Sequence, residues 1–168
     1  MSTPSIPSID QLPEALRAVR ARALFVLQLN VGKPSVLGTT PSGSLRRVGV
    51  ITRGSFRGDR LEGDVLEGGS DWQTVRADGA VTLDVRLVLK TADDALITMR
   101  YPGLRHGPAE ALARIDKGEL VDPASYYLRV TPTFETAAAK YDWLNRVLAV
   151  GVGQRLAGEV IYSVFEVL

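Results

Sequence analysis

Apolar and polar residues alternate with a period of two along much of this chain, the pattern of strands that bury one face. Residues 81–90 show it most clearly. Val81, Leu83, Val85, Leu87 and Leu89 share one face, while Thr82, Asp84, Arg86, Val88 and Lys90 share the other. From Ala23 the stretch ALFVLQLNV sets Phe25, Leu27, Leu29 and Val31 on one side, and the last ten residues, EVIYSVFEVL, alternate again. LRRVGVITRGSF, DRLEGDVLE, ALITMRY and residues 125–130 read as further strands. Turn signals separate them: Arg57-Gly58-Asp59, Gly68-Gly69-Ser70, Ala77-Asp78-Gly79 and Asp93-Asp94. Short strands at such spacing predict an antiparallel meander that closes, a mainly β protein built as a barrel of about eight to ten strands. In a barrel either face of residues 81–90 can point inward.

Two segments depart from this period. DQLPEALRAVRAR, residues 10–22, predicts a helix capped by Asp10, with Leu12, Leu16 and Val19 at helical spacing and arginines toward its end. PAEALARIDKG, residues 108–118, predicts a second short helix, with proline in its first turn and Gly118 at its end. Residues 1–9, rich in Ser and Pro, are expected to be loose. Residues 32–43 read as a loop, 132–150 as a loop with a helical turn leading into a strand, and Gly151-Val152-Gly153 as a bend between strands. The organisation expected is an N-terminal extension over residues 1–22 and one β-barrel domain over residues 23–168.

Composition narrows the chemistry. Lys and Arg total 20 against 19 acids. A net charge of +1 offers no concentrated positive field for nucleic acid or an anionic membrane surface. Without cysteine there is no disulfide, thiolate metal site or cysteine nucleophile, and with His106 as the sole histidine no histidine-rich metal site. Neither a leader-like apolar run nor a membrane-length segment occurs, so a cytoplasmic location is expected. Walker, GxSxG, HExxH and EF-hand patterns are all absent, and the glycines at 151 and 153 lack the third glycine of a dinucleotide fingerprint. No cofactor and no metal is implied.

What remains are polar and aromatic side chains beside strands. Asp71, Trp72 and Gln73 follow a diglycine turn. Asp84 and Arg86 share a strand face, as do Tyr127, Arg129 and Thr131, while Tyr141, Trp143 and Asn145 lie in the segment that follows. Side chains at i and i+2 of a strand point the same way, so each set can converge on one space. The aromatics equally fit core packing with a bonded polar tip, Asp84 with Arg86 a structural ion pair, and His106 a loop histidine ahead of a helix.

Several segments taken in order, GTTPSGSLRRV, GDVLEGGSDWQ, RHGPAEALARIDKGELVDPASYYLRVTPTFET and KYDWLNRVLAVGVG, resemble the domain-of-unknown-function 3237 family, also called uncharacterised protein family 0311. The resemblance covers about residues 23–168 and implies a β-barrel of the lipocalin or streptavidin kind. It implies little chemistry, since most members have no assigned activity. Leu128 stands where the family pattern implies phenylalanine, Val130 lies two residues on, and Ala95 replaces a glycine after the 93–94 turn.

Two functions fit. The first is a cofactor-independent enzyme, a cyclase, isomerase, dehydratase or lyase, acting on a small apolar or aromatic molecule. Asp71 or Asp84 would take a proton, Arg86 or Arg129 stabilise an anion, and Tyr127 or Tyr141 donate, with His106 a further candidate for proton transfer. Trp72, Gln73, Trp143 and Asn145 would line the ligand. The second is a carrier of an apolar carboxylate-bearing ligand, which needs no acid of shifted pKa. A packed interaction protein without a cavity is a third. The apolar face at 81–89 and the C-terminal strand together predict a homodimer or larger homo-oligomer.

Overall fold

The computed structural model describes residues 6–168; the expectation for residues 1–9 falls mostly on residues outside that range. Eight strands form a closed antiparallel ring: β1 (Ala21–Val31), β3 (Leu45–Arg57), β5 (Gly69–Val75), β6 (Val81–Thr91), β7 (Leu96–His106), β8 (Tyr127–Val130), β10 (Ala149–Leu156) and β11 (Glu159–Val167). The last strand returns to the first, with Leu29 opposite Val160, so the ring has no free edge. Three short strands extend it. β2 (Ser35–Thr39) doubles back on β3, β4 (Glu62–Val65) fills the gap between β3 and β6, and β9 (Thr133–Glu135) pairs with β7.

Period-two alternation decides what is inside. Val81, Leu83, Val85, Leu87 and Leu89 face the core, together with Leu27, Leu29, Ile51, Met99, Tyr101, Leu128 and Val164. Each of these side chains contributes about 1.5–3 kcal/mol by leaving water. The apolar face at 81–89, read from sequence as surplus wall for an oligomer, is therefore the barrel's own core.

Helix α1 (Ala109–Asp116) lies in the connection from β7 to β8, and Gly118, at φ 79°, ends it in the left-handed conformation that favours glycine. The expected helix over 10–22 is replaced by two single 3₁₀ turns, Ile9–Gln11 and Glu14–Leu16, with no buried residue. Pro13 between them offers no N–H to continue a helix, and β1 already begins at Ala21. Two further expectations change. Residues 32–43 contain β2, and Gly151-Val152-Gly153 runs straight through β10 rather than bending.

One end of the barrel is plugged. Phe25 packs against Phe56 and Phe134 with ring centres 5.5 and 5.9 Å apart. A 3₁₀ helix, Ala139–Arg146, brings Tyr141 and Leu144 beneath them. Glu166, only 8% exposed, accepts from Arg22 at 2.9 Å and Arg60 at 2.8 Å, and the Arg60 guanidinium lies 3.3 Å over the Trp143 ring. The Arg22 bond holds the Glu166 carboxyl below its ordinary value. A depressed carboxylate contributes stability at neutral pH that is lost as pH falls through its folded pKa. Glu166→Gln is thus expected to cost roughly 1–3 kcal/mol, a few degrees of Tm, at pH 7. The gap to wild type should narrow below pH 4 in thermal unfolding; a constant gap would mean the charge is irrelevant.

Candidate functional site

The open end is different. Here the same inward positions that carry leucine and valine lower down carry polar groups. Asp71 and Gln73 come from β5, Arg105 from β7, Arg155 from β10 and Tyr162 from β11, and they surround a cavity of about 30 Å³. That is room for one or two waters or a single small functional group. Leu83, Val31, Val160 and Leu128 supply its apolar lining. Leu128, where the family pattern implies phenylalanine, faces this cavity. Strand backbone also gives way: a Cβ on Gly153 would lie 2.6 Å from the Tyr162 ring, so glycine lets that phenol lie against β10.

A belt of hydrogen bonds runs round this end. Gln73 donates to Asp71 Oδ2 at 2.5 Å and accepts at its own carbonyl from Arg47 Nε at 2.6 Å. Arg47 and Arg105 both approach Asp116 Oδ1, at 3.6 and 3.2 Å. Arg155 is pinned by the Glu159 carbonyl through its guanidinium, while its backbone N–H donates to the Tyr126 hydroxyl at 2.8 Å. Two buried polar atoms at this end have no partner among the described residues, Asp71 Oδ1 and Arg105 Nε. Each would cost about 1–3 kcal/mol if the site stayed dry and empty, so both point to a guest.

Burial sets the electrostatics. Desolvation pushes the Asp71 carboxyl above its ordinary value, against the Gln73 bond and the nearby charges of Arg155, Arg105 and Arg47. Burial likewise pushes the phenols of Tyr101 and Tyr162 up, with the Tyr101 and Tyr162 rings edge to face at 5.5 Å. The same effect lowers Arg105 and Arg155, which nonetheless remain cations near neutrality. Positioned donors, a raised acid and apolar walls are what proton transfer to a small guest requires.

Of the residues singled out from sequence, only Asp71 and Gln73 border this cavity. Asp84 and Arg86 occupy the opposite parity of β6 from Leu83 and Val85 and stand on the outer wall, where Asp84 pairs with Arg100 at 3.3 Å and Arg86 is exposed. Trp72, between Asp71 and Gln73, also points out and is 47% exposed, its indole N–H donating to Ser70 Oγ. Tyr127, Arg129 and His106 form an external stack: His106 lies 4.8 Å from the Tyr127 ring on one side and Arg129 lies 4.8 Å over it. Tyr141 and Trp143 belong to the plugged end, Tyr141 donating to Asp93 Oδ1. Asn145 ties down the backbone of Thr136. The expected convergence of these residues on one cavity does not occur.

Sequence reasoning missed Arg47, Arg105, Arg155, Tyr101 and Tyr162. Their signal was parity with the apolar face of their own strands, as in Ile97, Met99, Tyr101, Gly103 and Arg105. The strand predicted over ALITMRY ends at Tyr101, whereas β7 continues through Pro102 and Gly103 to His106.

The barrel and its interior cavity define a class of small β-barrels able to enclose a functional group of a small molecule. Within that class the chain belongs to the family of proteins of unknown function DUF3237, whose model matches residues 20–167. A UPF0311 protein of Rhodopseudomonas palustris is 33% identical over 150 residues, 89% of this chain and 97% of its own length. The crystal structure of a protein from that organism superimposes with a TM-score of 0.87 over 90% of this chain and 99% of its own. A β-barrel-like protein of Acinetobacter baumannii is 39% identical, with a TM-score of 0.79 over 90% of this chain and 97% of its own. More distant is the hydroalkoxylation enzyme phnH of Penicillium herquei, 26% identical over 133 residues, 79% of this chain and 74% of that protein. No helix among the described residues is long and apolar enough to cross a membrane.

Proposed function

We propose that this protein is a cofactor-independent acid–base enzyme for a small, largely apolar or aromatic molecule, with Asp71 as the proton-transfer group. The observation that carries this reading is the free Oδ1 of a largely buried, upward-shifted carboxyl beside a small cavity at the open end of the barrel. The distant relative named as a hydroalkoxylation enzyme supports the same type of chemistry. In such an addition, protonated Asp71 gives its proton to one carbon of a double bond. The substrate's hydroxyl oxygen bonds to the other carbon, and the hydroxyl proton returns to the carboxylate. Atoms and electrons balance with no electron carrier, so cyclisation, double-bond migration and loss of water across the same bond are variants of one proton cycle. Arg105 and Arg155 hold a polar or anionic end of the guest through their guanidinium N–H groups, and Tyr162 orients it. A carrier would have no use for a buried carboxyl pushed above its ordinary value, which favours the enzyme.

The test is a panel of hydroxy-alkenes and allylic alcohols incubated with the protein in heavy water and followed by NMR. Ring closure or bond migration with deuterium placed at carbon, or loss of water to give a new double bond, is expected for at least one member. Binding of panel members in the cavity without any conversion would favour the carrier.

A further inference from the structure

The mouth carries more positive charge than it neutralises. Arg47, Arg105 and Arg155 face two carboxylates, Asp71 and Asp116, which leaves one net positive charge, and two once Asp71 is protonated. Arg105 is the most confined of the three, its side chain 7% exposed, yet its Nε donates to nothing among the described residues. A guanidinium presents a flat fork that matches a carboxylate in two parallel bonds. Asp116 fills only part of it, through one oxygen at 3.2 Å from Arg105 and 3.6 Å from Arg47, and is itself 52% exposed. Asp116 also sits at the C-terminal end of α1, where the helix dipole disfavours an anion. It is held there by the arginines rather than by its own helix. The end of α1 reaches across to the turn after β10, with Gly118 beside Ala157.

We infer that this cavity is a receptor for one anionic oxygen group of the ligand, a carboxylate, seated on Arg105 with Arg47 and Arg155 around it, and that Asp116 occupies part of the receptor until the ligand displaces it. The inference rests on the proposed function only in taking the same cavity as the substrate's. The cavity volume of about 30 Å³ accepts the headgroup, and the body of the ligand extends past α1 toward solvent. The substrate class is then an unsaturated or hydroxylated carboxylic acid, its charged end fixed so that the reacting carbons lie against Asp71.

Benzoate is the probe, with benzamide as its neutral isostere, each titrated into the full chain at pH 7 by calorimetry and NMR. Benzoate should bind at least about tenfold more tightly than benzamide. Asp116→Asn should strengthen benzoate binding by about tenfold, because the competing carboxylate is gone. Arg105→Gln should abolish it. If that variant does not fold, Arg47→Gln and the wild-type comparison of benzoate with benzamide decide the matter. Asp71→Asn, which removes a second negative charge, should still bind benzoate, so a failed proton-transfer role leaves this receptor standing. Equal affinity for benzamide and benzoate, or weaker benzoate binding in Asp116→Asn, would overturn the receptor while leaving Asp71-dependent turnover untouched.

Discussion

Asp71→Asn is expected to lower turnover by about 10²–10⁴-fold on whichever panel substrate the wild type converts. The fold should survive, because asparagine has nearly the same shape and its amide oxygen can still accept from Gln73. Its stability should even rise at pH 7. Asp71 has a folded pKa above its unfolded value. Such a group contributes stability fully below the unfolded value and loses it as pH rises toward and through the folded pKa, so at neutral pH, above the unfolded value, burying Asp71 weighs against folding. Asparagine removes that load. The wild-type rate should fall as pH rises through the raised pKa, since the protonated acid is the active form, and the variant's residual rate should show no such limb. Turnover, a pH profile and a melting curve together test this. Undiminished activity with the same alkaline decline would assign the proton to another group; a large loss of Tm would make Asp71 a structural residue.

The barrel was legible because period-two alternation is a direct projection of inside and outside. Val81 to Leu89 announced the strand, and closure of the ring decided that its apolar face is the buried one. The candidate site was legible only in part, and each miss has a physical cause. Asp84 and Arg86 were taken together because i and i+2 share a direction, but parity alone does not say which direction is inward. The apolar residues between them answered that question, since a barrel this narrow fills its interior with side chains. Asp71 and Gln73 lie on the other side of the same rule. Arg105 and Arg155 were hidden by glycine. The predicted strand ALITMRY ends before Gly103 and Gly151-Val152-Gly153 reads as a bend, yet Gly103 and Gly153 are interior strand positions pressed against Leu83, Val130, Tyr162 and Leu128. Glycine inside a small barrel makes room for a neighbour's bulk, and the strand continues beyond it to the residue that bears the charge. Asp116 carried no signal, because its partners come from β3 and β7 and meet it only once the ring closes.

Gly58→Ala should produce a large loss of stability, about 3 kcal/mol and on the order of 6–12 °C in Tm. Gly58 opens the turn from β3 to β4, its N–H donating to the Leu61 carbonyl at 3.0 Å. A Cβ there would lie 2.0 Å from the Leu24 carbonyl oxygen and 3.0 Å from the Phe25 Cα. Those are backbone atoms, so no rotamer change relieves the overlap. They also belong to the irregularity in β1 between Ala23 and Phe25, where the register with β11 shifts and both Leu24 and Phe25 become buried. Relief must move either that bulge or the turn, and both hold the Phe25–Phe56–Phe134 plug. Gly43→Ala is the control. Its φ of 80° strains an alanine, but nothing lies within 4 Å of the added methyl, so about 1 kcal/mol is expected. Because the Gly58 turn belongs to the plugged end, the folded fraction of Gly58→Ala should bind benzoate with wild-type affinity. Urea unfolding of the two variants separates the outcomes: equal losses would mean that the close approach to β1 relaxes freely and that the plug does not depend on it.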